Sequence, residues 1–518
     1  MRRFTLLVTI TVSGVPLVSV VAQAPKPAVK PVASPRPAGA VSASASAALT
    51  ITADDVRRRV GVIADDSMMG RDTPSRGLDL TAQYVADEFQ RLGLMPGGDD
   101  GTFFQRYAIT RRKVDIDSSV VTLRGRGAEW RFPLNATARL AQGNVPAAAI
   151  TGNVIFFGGA VSAADAAKVP FRDRIVIVIA DEAREGTQAL LQALVTGGAA
   201  AILLPSGVDS ATFASRIPIQ TRERVAVELG GSQPPIVLLF SGPLGRALAA
   251  AGVNLAETRA APSAMVRELP DLTAELALRE IIVSKVLAPN TIGVLEGTDP
   301  RLKSEYVLFT AHMDHIGITP GTADSVNNGA DDDASGTVGV IELAEAFSQA
   351  GARPKRSLAF MTVSGEEKGL WGSEFWSEHP TVPIKNVVAN VNMDMIGRNW
   401  ADTIVAIGRE HSDLGATLAR VNQQHPELRM TAIDDCWPEE RFYFRSDHYN
   451  FARKGVPILF FFNGVHEDYH QPSDAPPKIN AEKESRILRL VYYLGREVAN
   501  AAQRPKWKPE SYKEIVEE

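Results

Sequence analysis

The chain has 518 residues, a formal net charge of −5, 45% hydrophobic residues and 22% charged residues. This length is enough for two or three domains, and this composition is typical of a folded protein with a large apolar core. The mild charge and the lack of a long basic run exclude an obvious nucleic-acid-binding surface, so we expect no nucleic acid partner. The single cysteine, Cys436, excludes an intramolecular disulfide, and its acidic neighbours disfavour a reactive thiolate.

The N-terminus has the pattern of a secretory signal peptide. Two arginines precede an apolar stretch over residues 4–21, and small residues follow at the positions that a signal peptidase reads. We predict that residues 1–22 form the signal peptide and that cleavage follows Ala22, with cleavage after Ala24 as the other option. An uncleaved membrane anchor is the alternative, which the glycine and the proline inside the stretch disfavour. The mature protein is therefore expected to be periplasmic or secreted, without stable membrane association.

The next part of the chain leads from a linker into the first segment of the main domain. Residues 23–49 are rich in Pro, Ala, Ser and Lys and lack apolar periodicity, which predicts a linker. Residues 50–127 are assigned to the first segment of the main domain. We predict helices over residues 54–65 and 78–92, and the apolar side chains of the second fall on one helical face. The segment 69–73 lies between these helices.

Residues 128–270 are predicted to form a separate β-rich domain inserted into the main one. Apolar runs at 154–157, 175–179 and 236–239 are typical of buried strands. Side chains able to do chemistry are sparse here, and the first histidine of the chain is His312. We expect a structural role for this domain, with a lid or a substrate-contacting surface as the alternative.

Residues 271–505 are assigned to the second segment of the main domain. Strands alternate with helices here, which predicts an α/β fold with a mostly parallel mixed sheet flanked by helices. The predicted strands are Tyr306–Ala311, Ser357–Val363, Val387–Met393 and Val456–Phe462. A helix over residues 335–350 is predicted between the first two strands. Residues 506–518 are assigned to a polar C-terminal tail.

Each predicted strand is followed by side chains that can bind metal. They are His312 and Asp314, then Asp331, Asp332 and Asp333, then Glu366 and Glu367, then Asp394, and finally His470. Helix caps would explain one or two acidic residues before the helix, but not three in a row. Because open α/β sheets place their ligands at the carboxyl ends of the strands, we expect these side chains to lie close together. Two histidines and several carboxylates suit Zn²⁺, and hydrolases with paired zinc ions need a bridging carboxylate.

Five motifs carry a resemblance to a known family. In chain order they are HMDHIG, NNGADDDASG, SGEEKGLWGS, NMDMIGR and YHQPSD. Together they resemble the co-catalytic dizinc aminopeptidase family, which includes bacterial leucyl aminopeptidases, aminopeptidase Y and the glutamate carboxypeptidase II type. The resemblance implies a zinc-exopeptidase fold of the phosphorylase/hydrolase-like kind. The inserted region resembles the protease-associated (PA) domain found in many members.

The resemblance also implies a role for each site residue. The residues that match the family pattern are His312 and Asp394 as ligands of one zinc ion, Glu367 and His470 as ligands of the other, Asp332 as the bridge, Glu366 as the general base, and Asp314 as the support of His312. Asp332 is chosen from the acidic run because the bridging aspartate of the family stands three residues before Ser-Gly.

Other polar residues are interpreted as structural. Asp447 and His448 lie in a segment that resembles a recurring segment near the family's substrate cleft, where they contact substrate or fix the loop, and we favour the second role. The remaining histidines are interpreted as surface or packing residues, and they are His315, His379, His411, His425 and His466. No Gly-x-Ser-x-Gly elbow stands at a strand–helix turn, so a serine hydrolase is not expected.

The predicted function is that of an exported aminopeptidase, which uses two Zn²⁺ per chain to release N-terminal residues from peptide substrates. A carboxypeptidase or dipeptidase on the same site is the nearest alternative, since the sequence does not place the charged partner of the substrate terminus. A glutaminyl cyclase with one zinc ion and a non-catalytic binding relative are further alternatives, and the complete ligand set disfavours both. The sequence does not predict the oligomeric state.

Overall fold

The computed structural model describes residues 43–181, 183–228, 233–321 and 323–517. The predicted signal peptide and most of the predicted linker lie outside these residues. The described chain divides into two compact units. Unit 1 contains the residues up to Tyr107 and from Ala288 onward, and unit 2 contains Ala108–Leu287.

The helices and strands of the described residues are numbered in chain order. The α-helices are α1 Ala43–Ala48, α2 Ala53–Ile63, α3 Arg76–Arg91, α4 Glu185–Thr196, α5 Ser210–Arg216, α6 Ser241–Ala250, α7 Leu255–Ala260, α8 Gly336–Ser348, α9 Trp371–Glu378, α10 Leu414–Gln424, α11 His448–Ala452, α12 Ala481–Asn500 and α13 Pro509–Ile515. The strands are β1 Met95–Pro96, β2 Phe104–Val114, β3 Val120–Gly125, β4 Ala128–Pro133, β5 Ala138–Gln142, β6 Ile150–Gly158, β7 Ile175–Ile179, β8 Ala201–Pro205, β9 Arg224–Val227, β10 Ile236–Leu239, β11 Met265–Ala277, β12 Glu280–Leu295, β13 Tyr306–His312, β14 Ser357–Val363, β15 Val387–Met393, β16 Thr403–Ile407, β17 Thr431–Ile433 and β18 Ile458–Phe462.

Unit 1 is built on a mixed sheet in the order β17-β16-β18-β15-β13-β14-β12. Its four central strands, β14, β13, β15 and β18, run parallel to one another, while β12 and β16 are antiparallel to their inner neighbours. These four are the strands predicted from the apolar runs of the sequence, and the predicted α/β class is confirmed. Their carboxyl ends meet at one edge, and the loops that follow them build the site.

Helices cover both faces of this sheet. Apolar side chains of α2, α8, α10 and α12 pack on one face, where Phe309, Phe347 and Tyr492 are fully buried. Side chains of α9, α11 and α13 pack on the other face around Trp376 and Phe451. Because both faces of the sheet are covered, its central strands are continuous apolar runs in the sequence, without alternating polar residues. This explains why they could be found from the sequence.

Unit 2 has its own sheet in the order β4-β3-β11-β6-β7-β8-β10-β5. Strands β6, β7, β8 and β10 are parallel and the outer pairs are antiparallel. Apolar clusters cover both faces of this sheet. Unit 2 is therefore a mixed α/β body, and its likeness to a PA domain stays a prediction.

The unit boundaries differ from those expected from the sequence. The sequence placed the inserted domain at 128–270, whereas unit 2 runs from Ala108 to Leu287. Strand β3 belongs to unit 2 because it pairs with β4 and β11. The chain enters unit 2 within β2 and leaves it within β12, so both boundaries fall inside continuous strands and not in linkers.

Two predicted unstructured segments contain helices. The end of the predicted linker forms α1, where Ala47 and Ala48 are buried in the core of unit 1. The predicted polar tail forms α13, where Ile515 is buried and the indole N–H of Trp507 donates to the Gly455 carbonyl at 2.9 Å. Ile515 and the flanking residues Trp507 and Val516 pack with the apolar cluster on the second face of the sheet and hold this short helix in place. Among the described residues, no helix has the length and apolar character needed to cross a bilayer.

Candidate metal centre

The Asp332 carboxylate lies between two groups of side chains that have the spacing of metal ligands. In the first group, His312 Nε2 lies 3.3 Å from Asp332 Oδ1 and 3.6 Å from Asp394 Oδ1. In the second group, His315 Nδ1 lies 3.6 Å from Asp332 Oδ2 and 2.9 Å from Glu367 Oε1. The ligand atoms of each group all lie within 4.8 Å of one another. One carboxylate therefore belongs to both groups and presents a different oxygen to each.

His470 approaches the second group from the loop that follows β18. Its Nε2 atom lies 3.1 Å from Glu367 Oε2 and 3.3 Å from Asp332 Oδ2. Its side chain is 35% exposed, whereas the histidines of the two groups are buried. His470 is therefore the ligand candidate of the second group that lies nearest to solvent.

The main chain around Asp332 is held on both sides by buried carboxylates. Asp474 Oδ2 accepts hydrogen bonds from the N–H groups of Asp331 at 3.0 Å and Asp332 at 3.1 Å. Asp333 accepts from the N–H of His312 at 3.2 Å and from the first residue of α8 at 2.8 Å. Asp333 is thus occupied by main-chain donors, as a helix-capping residue is. This leaves Asp332 as the member of the acidic run that faces both groups.

Glu366 and Glu367 occupy a tight turn after β14. Gly365 opens the turn with a φ of +73°, and a Cβ atom there would lie 2.8 Å from the Tyr107 hydroxyl, so the position favours glycine. The N–H of Glu366 donates to Asp314 Oδ1 at 3.2 Å. The turn sends the two carboxylates in different directions, because Glu367 joins the second group while Glu366 lines the open cleft beside the centre.

The cleft is lined by both polar and apolar side chains. The charged ones include Glu366, Asp394 and Arg445, and the apolar ones are Met395, Phe442, Phe460, Phe462 and Val465. The Ser446 hydroxyl orients Asp394 by donating to its Oδ2 at 2.9 Å. The cleft can therefore receive an apolar side chain beside the centre while charged groups face the polar part of the same ligand.

The electrostatics of the centre reflect an excess of acidic groups. Burial lowers the pKa of His312, but the carboxylates of Asp394 and Glu366 outweigh this and hold that pKa well above its ordinary value. Burial, with the negative charges of Asp447 and Asp394, raises the pKa of the Glu366 carboxyl well above its ordinary value. A buried cluster of this charge is stabilised by a cation.

The residues present fit a pair of divalent ions. Within the described part of the chain, Asp332 Oδ2 and His470 Nε2 are buried atoms that have no hydrogen-bond partner, although they lie 3.3 Å apart. Buried polar atoms normally have a partner, so these two are placed to bind something else. Imidazole nitrogens and carboxylate oxygens form the donor set that suits zinc.

Comparison with known families assigns this centre to a family. The model of "Peptidase family M28" matches residues 290–495, the stretch that contains both ligand groups and His470. Residues 290–495 are a peptidase family M28 domain. The family resemblance found in the five sequence motifs is thereby confirmed.

The M28 domain has relatives among curated proteins. A probable leucine aminopeptidase of Arthroderma otae is 27% identical over 234 residues, which are 43% of this chain and 62% of that protein. A probable zinc metalloprotease of Pyrenophora tritici-repentis is 26% identical over 225 residues, which are 37% of this chain and 46% of that protein. The chain thus spans between 46% and 62% of the length of these relatives.

The chain is also similar to solved structures. The peptidase M28 precursor of Shewanella amazonensis is 16% identical with a TM-score of 0.46, and the alignment covers 90% of this chain and 98% of that one. An aminopeptidase of an Aneurinibacillus strain is 17% identical with a TM-score of 0.45 at the same coverages, 90% and 98%.

The M28 domain brings together every site residue expected from the sequence. His312, Asp332 and Asp394 form the first group, Glu367 and His470 lie at the second, and Glu366 lines the cleft. The two-ion assignment of these residues stays a prediction.

His315 is a ligand candidate that was not expected from the sequence. It was interpreted as a surface or packing residue, but it is fully buried and its Nδ1 faces Asp332 and Glu367. It stands three residues after His312, beyond the end of β13, where the loop turns back toward the centre. The repeated histidine in HMDHIG was the available signal, although spacing alone does not tell which way the second ring points.

Asp314 supports the centre in a different way from the one expected. Its carboxylate Oδ1 lies 3.7 Å from His312 Nδ1, beyond hydrogen-bond distance, and the closer contact of that nitrogen is the Asp314 main-chain carbonyl at 3.2 Å. The carboxylate instead accepts hydrogen bonds from the Thr73 hydroxyl at 3.0 Å and the Glu366 N–H at 3.2 Å. Asp314 therefore links His312 to the turn that carries Glu366.

The other polar candidates lie away from the open cleft. Asp447 is fully buried and accepts from the Ser373 hydroxyl, and His448 is fully buried with its Nε2 2.8 Å from the Tyr443 carbonyl. His466 contacts Asp331 at 3.2 Å with a side chain that is 4% exposed. These positions agree with structural roles for all three.

Proposed function

We propose that this protein is a zinc-dependent aminopeptidase that binds two Zn²⁺ per chain and releases N-terminal residues from peptides. The observation that carries the proposal is the Asp332 carboxylate, whose Oδ1 faces the first ligand group and whose Oδ2 faces the second. Co-catalytic metal pairs in hydrolases lie about 3.5–4 Å apart, and one shared carboxylate can hold such a pair together. The M28 domain and the relatives named as leucine aminopeptidase and zinc metalloprotease support the same activity.

Zinc supplies Lewis-acid chemistry when it is bound at such a centre, polarising a carbonyl and lowering the pKa of water. The residues of this chain perform the remaining steps. Glu366 lines the cleft beside both ligand groups, where its carboxylate is placed to accept a proton from the attacking water and to donate it to the leaving amine nitrogen. The apolar side chains that line the cleft, among them Phe442 and Phe460, can hold an apolar substrate side chain.

The polarity of the cleft favours a substrate with a free N-terminus. Glu366 belongs to neither ligand group and presents its carboxylate to the cleft, where it would attract an ammonium group next to the scissile bond. In an aminopeptidase substrate, the N-terminal residue carries both the ammonium group and the carbonyl that is attacked. A small cleft beside the centre can therefore bind both.

A carboxypeptidase or dipeptidase is the second candidate, because Arg445 also lines the cleft. Its guanidinium lies 3.3 Å from Glu440 and stacks 4.8 Å from the centroid of the Phe442 ring, while half of the side chain is exposed. A guanidinium can pair with a substrate carboxylate in a bidentate geometry. The pairing with Glu440 reduces the charge available for this role, so we rank it second.

A substrate panel on metal-loaded protein tests the proposal. The protein is stripped with a chelator, reloaded with Zn²⁺, and assayed on aminoacyl-nitroanilides and on N-blocked peptides with a free carboxylate. We expect activity on the nitroanilides that the chelator abolishes and zinc restores. Cleavage of the blocked peptides alone would assign the second candidate, and no cleavage of either set would overturn the peptidase proposal.

We also propose that the protein is exported. The support is the charged, apolar and small-residue pattern of residues 1–22, which lie outside the described residues. N-terminal sequencing of the protein purified from its source should begin at Gln23 or Pro25. A mature chain that still begins at Met1 would contradict export by cleavage.

A further inference from the structure

The segment 69–73 packs against the loop after β13, although it precedes the M28 match by more than 200 residues. Gly70 packs directly on the loop after β13, where a Cβ atom would lie 2.3 Å from the Gly317 carbonyl oxygen. The Gly70 carbonyl accepts from the Gly317 N–H at 2.9 Å, and the Arg71 carbonyl accepts from the His315 N–H at 3.3 Å. The segment thus pairs with the stretch that follows His312.

Arg71 is fully buried and joins the two loops that carry the first ligand group. Its Nε donates to the Met313 carbonyl at 2.9 Å, and its terminal nitrogens donate to the carbonyls of Asn328 at 2.6 Å and Gly329 at 2.9 Å. Met313 directly follows the histidine of the first group, and Gly329 precedes the shared aspartate by three positions. A single planar guanidinium therefore fixes the separation of the two loops.

Thr73 joins the loop after β13 to the turn after β14. Its hydroxyl donates to Asp314 Oδ2 at 3.0 Å and accepts from the Gly365 N–H at 3.1 Å. The other oxygen of Asp314 accepts from the next N–H in the chain, that of Glu366, at 3.2 Å. Thr73 and Asp314 together hold both main-chain donors of the turn that presents Glu366 and Glu367.

We propose that Arg71 and Thr73 are positioning residues of the active site. Arg71 sets the distance between the loops of His312 and Asp332, and Thr73 aims the turn that carries Glu366. This proposal rests on the proposed function for its effect on catalysis, but the hydrogen bonds that it invokes can be tested without any activity. It also implies that residues 290–495 alone lack a part of the site that an earlier segment supplies.

The test compares Thr73→Val and Thr73→Ser in the full, zinc-loaded chain. Valine keeps the shape of threonine but removes the hydroxyl, which leaves Asp314 Oδ2 and the Gly365 N–H without this partner. We expect kcat to fall by about 10- to 100-fold, as for other groups that orient metal-site residues, with KM changed less than about threefold. Serine keeps the hydroxyl and should restore kcat to within about threefold of the wild type.

Hydrogen exchange supplies a readout that does not depend on activity. In Thr73→Val, amide exchange in the peptide that contains Gly365 and Glu366 should be about tenfold faster, as expected for the loss of one hydrogen bond of ordinary strength. The matched control is Thr417→Val in α10, whose hydroxyl donates to the Asp413 carbonyl at 3.2 Å in a helix that supplies no residue to the site. We expect this control to match the wild type in kcat and in the exchange of that peptide.

Each outcome distinguishes the two proposals. Wild-type kcat and unchanged exchange in Thr73→Val would overturn the positioning role while leaving the peptidase function intact. If the wild type cleaves no substrate, the peptidase function fails, and faster exchange in Thr73→Val but not in Thr73→Ser would still establish the contact. Arg71→Lys keeps a positive charge but cannot span the two loops, and we expect faster exchange over residues 327–333. Unchanged exchange there would overturn the role of Arg71.

Discussion

Asp474 holds the main chain of Asp332, because its Oδ2 accepts the Asp332 N–H at 3.1 Å. Asp474 is fully buried, and it also accepts the N–H of Asp331 at 3.0 Å. The shared carboxylate of the centre is therefore oriented by a residue that stands four positions after His470. One loop of the chain supplies both a ligand candidate of the second group and the support of the bridging residue.

Replacing Asp474 with asparagine should weaken metal binding. The amide keeps the size of the side chain but turns one acceptor into a donor that faces main-chain N–H groups. Loss of a group that orients a ligand typically costs about 10- to 100-fold in metal affinity, and we expect a loss in that range. Competition with a chromogenic chelator measures it. Asp299→Asn, which removes comparable main-chain hydrogen bonds at the surface, should leave the affinity unchanged.

Glu366→Gln should separate catalysis from metal binding. Glutamine cannot accept the proton of the attacking water, so we expect kcat to fall by about 10²- to 10⁴-fold. The metal content of this variant should equal that of the wild type, since Glu366 belongs to neither ligand group. Glu367→Gln is the matched comparison and should instead lose metal. A Glu366→Gln variant that keeps near wild-type turnover would show that another group acts as the base.

The histidine that was not expected from the sequence gives a further prediction. His315 Nδ1 lies 2.9 Å from Glu367, so His315→Asn should weaken one of the two metal sites by about tenfold or more. Zinc release to a chelator should then become biphasic, with one ion lost early. His379→Asn, at an exposed position, is the control. Uniform release from His315→Asn at the wild-type rate would return His315 to a packing role.

Glu305 gives a prediction about stability far from the centre. It pairs with Arg356 at 2.6 Å and Arg504 at 2.8 Å, and although burial opposes it, these contacts hold the pKa of Glu305 below its ordinary value. A lowered carboxyl pKa stabilises the fold above the unfolded value of about 4.3, and this stability is lost as the pH falls through the folded value.

Glu305→Gln should therefore cost about 3 kcal/mol of unfolding free energy at pH 7, because Arg356 is left buried without its charge partner. The difference from the wild type should shrink as the pH falls below about 4.3. Urea unfolding of the metal-free protein at several pH values measures it. Glu296→Gln, in an exposed pair with Lys303, should change stability by less than about 1 kcal/mol. An equal cost at all pH values would contradict the role of the Glu305 charge.

Much of the fold and the site could be predicted because the relevant residues lie close together in the sequence. The four central strands are short apolar runs buried on both faces, and the side chains that follow them carry the chemistry. His312, Asp332 and Glu366 could be placed because family motifs fix their positions in the sequence. The same motifs separated Asp332 from its two acidic neighbours, and the structure gives the reason, since Asp333 caps main-chain groups.

What could not be predicted depends on contacts between distant parts of the chain. In the sequence, Arg71 is one charged residue between two predicted helices. Its partners are the carbonyls of Met313 and Gly329, which lie 242 and 258 positions further along the chain and approach it only in the folded protein. The direction of the His315 ring depends on the same loop packing. The unit boundaries fall inside the strands β2 and β12, where no linker marks them. The α13 segment contains few apolar residues among its charged ones, so its sequence shows no apolar periodicity that would predict a helix.

The number of zinc ions per chain tests the central claim most directly, because the shared Asp332 carboxylate implies two adjacent ions. The protein is saturated with zinc, freed of excess metal and analysed by elemental analysis against protein concentration. We expect two zinc ions per chain in the wild type and a loss of both in Asp332→Ala. One ion per chain would contradict the bridged pair and favour a single-zinc enzyme such as a glutaminyl cyclase, and none would favour a non-catalytic binding protein.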